Sequence, residues 1–344
     1  MTTSAVRRRW LAPEVVQTSA MDCGPASLKS LLDGHGITVS YGRLREACQT
    51  DIDGTSIDTL EDVAGQLGLE VEQTMLPADH LLLRSGGVLP ALLVVRLPNG
   101  LTHFTVVWRR HGHVVQVMDP ASGRRWMTAK ALLEQIHLHT ATLETAVVAE
   151  WLASADFTGA VRERLQRLGA ASTFDRLAGD RDWRRIAVLD ASVRMVQSLV
   201  DGGGLRRGAE AAAALEAVHE EGCVRPENIP ERFWTVLPAG LRDGEEVVAL
   251  RGAVMLVVRG VRERDADRAL SPELALALAE PKPKPGRELV RMLREDGALG
   301  PAAIGAGLVG AAVVAIGQAL LLRALLEVGR DLGPIEQRLA AIGA

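Results

Sequence analysis

The chain has 344 residues and a formal net charge of −4 at pH 7, with basic and acidic side chains scattered along its length. This length allows one to three domains with a sizeable core, and the scattered charge gives no nucleic-acid surface, so we expect no nucleic-acid partner. The three cysteines, Cys23, Cys48 and Cys223, are an odd number at wide spacing, which favours a reducing compartment without a disulfide framework.

The N-terminus carries the basic triplet Arg7-Arg8-Arg9 but no apolar stretch after it. We therefore expect no secretory signal and a cytosolic N-terminal part. The triplet has two interpretations, a solvated arm or a contact with anionic lipid, and the solvated arm is favoured.

Short helices and strands alternate up to about residue 150. Helical periodicity predicts helices over residues 26–33, 41–47, 57–67 and 128–135. Alternating or apolar runs predict strands over residues 70–74, 90–96, 103–108 and 113–118, with a turn at Gly123. A helical half followed by a sheet half is typical of an α+β domain.

Cys23 lies at the start of the first predicted helix, directly before Gly24 and Pro25. Proline is tolerated in the first turn of a helix, where its missing N–H is no loss. A thiol at that position is close to the positive end of the helix dipole, which lowers its pKa and favours the thiolate. Cys23 is therefore a candidate nucleophile, whereas Cys48 lies within a helical pattern that favours a packing role.

Three other residues complete a possible cysteine-peptidase site. His103 is on a predicted half-buried strand and is the candidate base. Asp119 ends the next apolar run and is placed to accept a hydrogen bond from His103. Gln17, six residues before Cys23, is placed to donate to an oxyanion beside the Cys23 backbone N–H.

The order Gln, Cys, His, Asp and the short sequence motifs around these residues resemble those of a known family. Residues 12–136 are similar to the double-glycine leader peptidase domain, a papain-like cysteine peptidase, at the N-terminus of peptidase-containing bacteriocin ABC transporters. The motifs that carry the resemblance are Gln17-Thr-Ser-Ala-Met-Asp-Cys-Gly-Pro, His35-Gly36, Asp53-Gly54-Thr55-Ser56, Gly65-Gln-Leu-Gly-Leu and Met118-Asp-Pro-Ala-Ser-Gly. The resemblance implies a papain-like fold with Cys23 as nucleophile, His103 as base, Asp119 as its orienting group and Gln17 as oxyanion donor.

The same resemblance implies a function. The expected substrate is a peptide precursor whose leader is cut off after a Gly-Gly or Gly-Ala pair, without a metal or an organic cofactor. Expected partners are the membrane and ATPase subunits of an ABC transporter. The alternatives are a substrate-docking module that has lost turnover, or an incomplete subunit of a peptide exporter.

Residues 155–279 have a different sequence pattern from the predicted peptidase domain of residues 1–150. Amphipathic helices are predicted over residues 162–168, 183–200 and 209–220. Two strands over residues 245–250 and 253–258 are predicted to form a small β-hairpin that turns at Arg251-Gly252. The segment has no metal-ligand spacing and no phosphate loop, so we predict a mainly helical insert that supports the peptidase or binds a partner.

The C-terminal part is predicted to cross a membrane. A proline-rich linker and a basic helix over residues 281–296 lead into an uncharged run over residues 297–322, longer than the roughly 20 residues a span requires. Basic residues on its N-terminal side favour a cytosolic location for the peptidase, at the bacterial inner membrane. Residues 323–344 are predicted to be an amphipathic tail. A buried or interfacial helix is the alternative to the span.

Two sequence patterns bear on whether the chain has a nucleotide-binding site. Gly305, Gly307 and Gly310 match G-x-G-x-x-G, but the sequence around them is too short to form the sheet of a dinucleotide site. The G-x-x-x-x-G-K-[ST] pattern of a P-loop is absent from the sequence. We therefore expect the ATPase to be a separate chain, or the reading frame to be incomplete.

Overall fold

The computed structural model describes residues 8–50, 54–83, 86–179, 182–242, 245–262, 270–280, 285–295 and 300–331. The chain divides into two compact units, Met1–Pro281 and Lys282–Ala344. The proline-rich residues 281–284 and the start of the predicted span, residues 297–299, lie outside the described residues.

The first part of the larger unit has the α+β order that the sequence predicts. Its helices are α1 (Cys23–Gly34), α2 (Tyr41–Ala47), α3 (Ile57–Gln66) and α4 (Ala129–Gln135). Its strands are β1 (Leu69–Leu76), β2 (Ala91–Arg96), β3 (Thr102–His111), β4 (Val114–Asp119), β5 (Gly123–Thr128) and β6 (His139–Glu144). The predicted helices and strands are confirmed. Gly123, where a turn was predicted, is instead the first residue of the strand β5. Neither β5 nor β6 was predicted.

The predicted helical region is also present and is longer than predicted. Its helices are α5 (Thr145–Ala153), α6 (Ala155–Leu168), α7 (Phe174–Ala178), α8 (Trp183–Asp201) and α9 (Ala209–Val224). They are followed by β7 (Val236–Arg242), β8 (Glu245–Val261) and α10 (Pro272–Ala279). Buried apolar side chains such as Phe157, Leu189 and Leu215 form the core of this region.

The predicted turn at Arg251-Gly252 is wrong, because both residues lie inside the continuous strand β8. The antiparallel pair in this region is β7 with β8, not the two halves of β8 with each other. Gly252 is required by a close approach: a Cβ there would lie 2.7 Å from the carbonyl oxygen of Leu76, in β1. The glycine that looked like a turn residue is therefore a contact residue between two strands.

Strand β8 joins the two predicted regions into one sheet. Its first half pairs antiparallel with β6 and β7, and its second half lies between β1 and β2. The strand order is β1-β8-β2-β3-β4-β5. Residues far beyond the predicted peptidase region thus supply an inner strand of its sheet, so both regions fall within one compact unit.

A buried ionic cluster also connects the two regions. Asp79, which follows β1, lies 2.6 Å from Arg194 of α8, and Asp190 of α8 lies 2.7 Å from Arg164 of α6. Burial raises the pKa of Asp79, but the two arginines outweigh it and hold that pKa well below its usual range. Because breaking a buried ion pair leaves an uncompensated charge, the cluster fixes α6 and α8 against the end of β1.

Helix α1 packs on β3 through Gly34 and the fully buried Trp108. A Cβ at Gly34 would lie 2.1 Å from the Trp108 ring, closer than any real Cβ contact. The indole N–H of Trp108 donates to the carbonyl oxygen of Arg9 at 3.1 Å, which fixes the ring. This contact sets the distance between the helix that carries Cys23 and the strand that carries His103.

We expect Gly34→Ala to lower the free energy of unfolding by about 1–3 kcal/mol, because the added methyl group overpacks this contact. Gly42→Ala in α2 is the matched control, since nothing lies within 4 Å of its added Cβ. It should be neutral or stabilise by up to about 1 kcal/mol, because alanine favours the helix. Denaturant unfolding measures both, and equal stability of the two variants would contradict the packing account.

The second unit contains α11 (Pro285–Glu295) and α12 (Pro301–Asp331). Among the described residues, one stretch, Ala303–Leu326, is long and apolar enough to cross a bilayer. Helix α12 continues past residue 322 to Asp331, so the described part of the predicted tail is the end of the same helix, and residues 332–344 lie outside the described residues. Gly305, Gly307 and Gly310 are within this helix, not in a phosphate-binding loop.

Candidate active site

Cys23 is the first residue of α1 and is partly buried. Burial raises the pKa of its thiol, but a hydrogen bond with His103 and hydrogen bonds with the backbone of Phe104 and Gly24 outweigh that effect. The net pKa of Cys23 is therefore lowered from the ordinary value of 9.0. The sequence predicted a lowered pKa from the helix terminus; in the structure, His103 is the principal lowering partner.

His103 and Asp119 come together because their strands are antiparallel neighbours. Nε2 of His103 lies 2.9 Å from Oδ1 of Asp119, and both side chains are largely buried. Because Nε2 is engaged by the carboxylate, Nδ1 is the ring nitrogen left to interact with Cys23. The three residues thus form a linear chain of thiol, imidazole and carboxylate.

The Asp119 carboxylate accepts hydrogen bonds from the turn that follows it in the chain. Its Oδ1 also accepts from the backbone N–H of Ala121 at 2.9 Å, and its Oδ2 accepts from the Ser122 hydroxyl at 3.0 Å. Arg125 lies 3.2 Å from Oδ2. Burial raises the pKa of Asp119, but these hydrogen bonds and His103 bring it down to about 2, so the carboxylate is ionised at neutral pH.

The charge state of His103 follows from these contacts. Burial lowers its pKa, but the hydrogen bonds with Asp119 and Cys23 raise it to about 9. With the pKa of Cys23 lowered and that of His103 raised, the two groups favour a thiolate next to an imidazolium. Such a pair can attack a carbonyl carbon and then deliver a proton to a leaving amine.

Gln17 lies near the same turn but is not in hydrogen-bond contact with Cys23. Its backbone N–H donates to the carbonyl oxygen of Pro120 at 2.9 Å, which places it beside the residue that follows Asp119. Its side-chain Oε1 is buried without a hydrogen-bond partner among the described residues. The amide group is thus half-buried near the site, with unused hydrogen-bonding capacity.

Asp22 is a residue of this site that the sequence reasoning missed. Its side chain is completely buried directly before Cys23. Its Oδ2 accepts from the Thr18 hydroxyl at 2.8 Å and from the Ser19 backbone N–H at 3.1 Å, while Oδ1 lies 2.9 Å from Nε of Arg45. One carboxylate therefore closes the loop between Gln17 and Cys23. The signal in the sequence was the Thr18-Ser19-…-Asp22 spacing, which is typical of a side-chain-closed turn.

We expect Asp22→Asn to lower the free energy of unfolding by about 1–3 kcal/mol, because a buried charge-assisted hydrogen-bond set loses its charge. Glu46→Gln is the control, since it breaks the exposed Arg43–Glu46 pair and should change stability by less than about 0.5 kcal/mol. Denaturant unfolding compares the two. A loss for Asp22→Asn no larger than that of the control would show that the loop does not depend on this carboxylate.

The other two cysteines have different surroundings. Cys48 is fully buried in the core beneath α2, where burial raises its pKa to about 12. Cys223 is exposed at the end of α9, and its pKa is also raised, by burial of the sulfur. Among the cysteines, Cys23 alone has a lowered pKa, and the packing role predicted for Cys48 agrees with its position in the core.

Part of the chain is similar to known proteins. Residues 12–143 match the model of the Peptidase C39 family. The chain is 27% identical over 110 residues to the lactococcin-G-processing and transport ATP-binding protein LagD of Lactococcus lactis subsp. lactis, which covers 32% of this chain and 16% of that protein. It is 29% identical over 113 residues to the pediocin PA-1 transport/processing ATP-binding protein PedD of Pediococcus acidilactici, covering 33% of this chain and 16% of that protein.

Solved structures are similar to part of the chain. The double glycine motif protease of an AMS/PCAT transporter, crystallised with a leader peptide, is 23% identical, with a TM-score of 0.34 over 40% of this chain and 93% of that one. The peptidase domain of Streptococcus ComA is 24% identical, with a TM-score of 0.34 over 36% and 92% of the two chains. The chain spans only 16% of the length of the curated relatives that it matches.

Proposed function

Since residues 12–143 match the model of the Peptidase C39 family, we propose that this chain is a cysteine endopeptidase that removes the leader from an exported peptide precursor. The observation that carries the proposal is the chain of contacts from Cys23 through His103 to Asp119. It supplies the nucleophile, the proton carrier and the orienting carboxylate that peptide hydrolysis by a thiol requires.

The proposed reaction uses these three residues in turn. The Cys23 thiolate attacks the scissile carbonyl carbon, and the C–N bond breaks as His103 donates its proton to the leaving amine. A water molecule then attacks the thioester, giving its proton to His103 and regenerating the Cys23 thiolate. Asp119 stays ionised throughout and keeps the His103 ring in one orientation, as its low pKa allows.

Gln17 is proposed as the side-chain donor to the oxyanion, together with the Cys23 backbone N–H. This role rests on the position of Gln17 beside the Asp119 turn and on the N–H groups of its half-buried side-chain amide, which can donate to an oxyanion. A preorganised donor acts on charge that develops only in the transition state, so its loss lowers kcat and not substrate binding.

We expect Gln17→Ala to lower kcat by about 10²–10³ with little change in KM. Gln73→Ala is the matched control, because Gln73 of β1 also has a buried Oε1 without a partner and is not placed in the site. Steady-state cleavage of a leader peptide measures both variants. If Gln17→Ala changes KM alone, or matches Gln73→Ala, Gln17 is not an oxyanion donor.

The proposed substrate is a precursor with a Gly-Gly or Gly-Ala pair before the scissile bond. Two curated relatives are named for the processing and transport of lactococcin G and pediocin PA-1. Small residues at these positions suit the half-buried Cys23, because an unbranched backbone can approach the sulfur where a larger side chain would meet the protein.

Membrane association is supported by the apolar stretch Ala303–Leu326 and by relatives that are transport proteins. We propose that α12 spans the bacterial inner membrane with the peptidase on the cytoplasmic side, since Arg287, Arg291 and Arg294 precede the span. The membrane and ATPase subunits of an ABC transporter are then the proposed partners. The separate domain limits predicted from the sequence, at residues 150, 155 and 279, stay a prediction.

The experiment is cleavage of a synthetic precursor by the full chain in detergent micelles. We expect a single cut after the Gly-Gly pair, read by mass spectrometry, and no cut when the pair is replaced by Val-Val. Binding of both peptides without cleavage would overturn the peptidase assignment in favour of the docking module. Cleavage at unrelated sites would overturn the leader specificity alone.

A further inference from the structure

A second candidate site lies at the opposite end of β3 from His103. It is a cavity of about 310 Å³ whose lining includes Arg8, Arg109, Arg110, Leu82 and Val88. Arg109 follows His103 by six positions along β3, which corresponds to about 20 Å along an extended strand. The cavity is therefore remote from Cys23 and has no part in the proposed reaction.

Two arginines of this cavity, Arg8 and Arg109, contact aromatic rings and a backbone carbonyl group. The guanidinium group of Arg8 donates to the carbonyl oxygen of Leu89 at 3.0 Å and lies 5.4 Å from the centre of the Trp108 ring. That of Arg109 stacks on Trp10 at 3.8 Å. Aromatic faces and a backbone carbonyl thus orient both cations before any ligand is present.

The described lining of the cavity is basic. Its described lining contains no Asp or Glu. Burial lowers the pKa of Arg8, and the nearby charge of Arg109 lowers it further, with no carboxylate acting in the opposite direction. In addition, Nε of Arg109 is buried and has no hydrogen-bond partner among the described residues.

We propose that this cavity binds a phosphate group through Arg8 and Arg109, with the apolar part of the same ligand against Leu82 and Val88. Two guanidinium groups that line one cavity match the charge of a phosphate better than that of a single carboxylate. Since the arginines are preorganised, binding orders few side chains. A lipid headgroup and a soluble phosphate ester share this chemistry.

The test is titration of the full chain in non-ionic detergent micelles with inorganic phosphate, by calorimetry at constant ionic strength. We expect saturable binding, weakened at least about tenfold by Arg109→Gln, since one charge-assisted contact of about 1.4 kcal/mol is worth that factor. Arg8→Gln should act similarly and serves as a second variant. Arg96→Gln is the charge-matched control, on an exposed residue at the end of β2, and should bind like the wild type.

Unchanged alkylation of Cys23 by a small reagent shows that each variant is folded. Absence of saturable phosphate binding to the wild type at tens of millimolar would overturn the inference, as would equal binding by Arg109→Gln, Arg8→Gln and Arg96→Gln. A short-chain phosphatidic acid and a sugar phosphate then separate the two sources. Tighter binding of the phosphatidic acid assigns a lipid headgroup, and tighter binding of the sugar phosphate assigns a soluble ester; both support a phosphate site.

Discussion

Cys23→Ala should abolish leader cleavage while leaving leader binding nearly unchanged. Loss of the nucleophile of a triad-type hydrolase lowers kcat by about 10⁶, because the covalent intermediate can no longer form. Binding survives because Cys23 is only partly buried at the start of α1 and is not a core residue. Cleavage by mass spectrometry and binding by fluorescence anisotropy measure the two effects separately.

The other cysteines provide the controls for this variant. Cys223→Ser removes an exposed thiol, and Cys48→Ala removes a buried one of similar size to its replacement. Both should cleave at a rate close to the wild type. Equal loss of cleavage in Cys23→Ala and Cys48→Ala would mean that general stability, and not the nucleophile, limits activity.

His103→Ala should slow alkylation of Cys23 at pH 7 by up to about 10². Without His103, burial still raises the pKa of the thiol while its principal lowering partner is gone, so the pKa rises toward the ordinary 9.0. A pKa of that value leaves about one thiol in a hundred ionised at pH 7, and only the thiolate reacts. Time-resolved intact mass after addition of iodoacetamide gives the rate.

The pH dependence of cleavage distinguishes a catalytic His103 from a merely structural one. The rate should rise as Cys23 ionises, below its ordinary pKa, and fall as the imidazolium loses its proton near pH 9. Asp119→Asn keeps the ring but removes the charge that raises the pKa of His103, so the descending limb should move to lower pH. An unchanged descending limb in Asp119→Asn would contradict the assigned coupling.

Local sequence patterns predicted the parts of the fold that depend on neighbouring residues. The helical periodicity that begins after Cys23 and the alternation after Thr102 each correspond to an observed helix or strand. The strand β5 was missed because it is the edge strand of the sheet and is largely exposed, so it has no apolar alternation. The continuity of β8 was missed because Gly252 is needed by its contact with Leu76, which is distant in sequence.

In the candidate site, too, local motifs were predictive, whereas contacts between residues distant in sequence were not. Cys23, His103 and Asp119 were predicted from their local sequence motifs, and the structure brings them into one chain of hydrogen bonds. The local spacing of Thr18, Ser19 and Asp22 indicates the turn before Cys23, but the contact of Asp22 with Arg45 was not predicted, because Arg45 comes from another helix. Nor did the sequence indicate the cavity between Arg8 and Arg109, since these residues meet only when the N-terminal segment crosses β3.

The most direct test of the activated nucleophile is covalent labelling of the full chain at pH 7 by a peptide chloromethyl ketone that ends in Gly-Gly. The account predicts one label per chain, located at Cys23 by peptide mapping, and loss of that label in His103→Ala. A folded wild-type protein that takes up no label at Cys23, or that labels equally in His103→Ala, would contradict it.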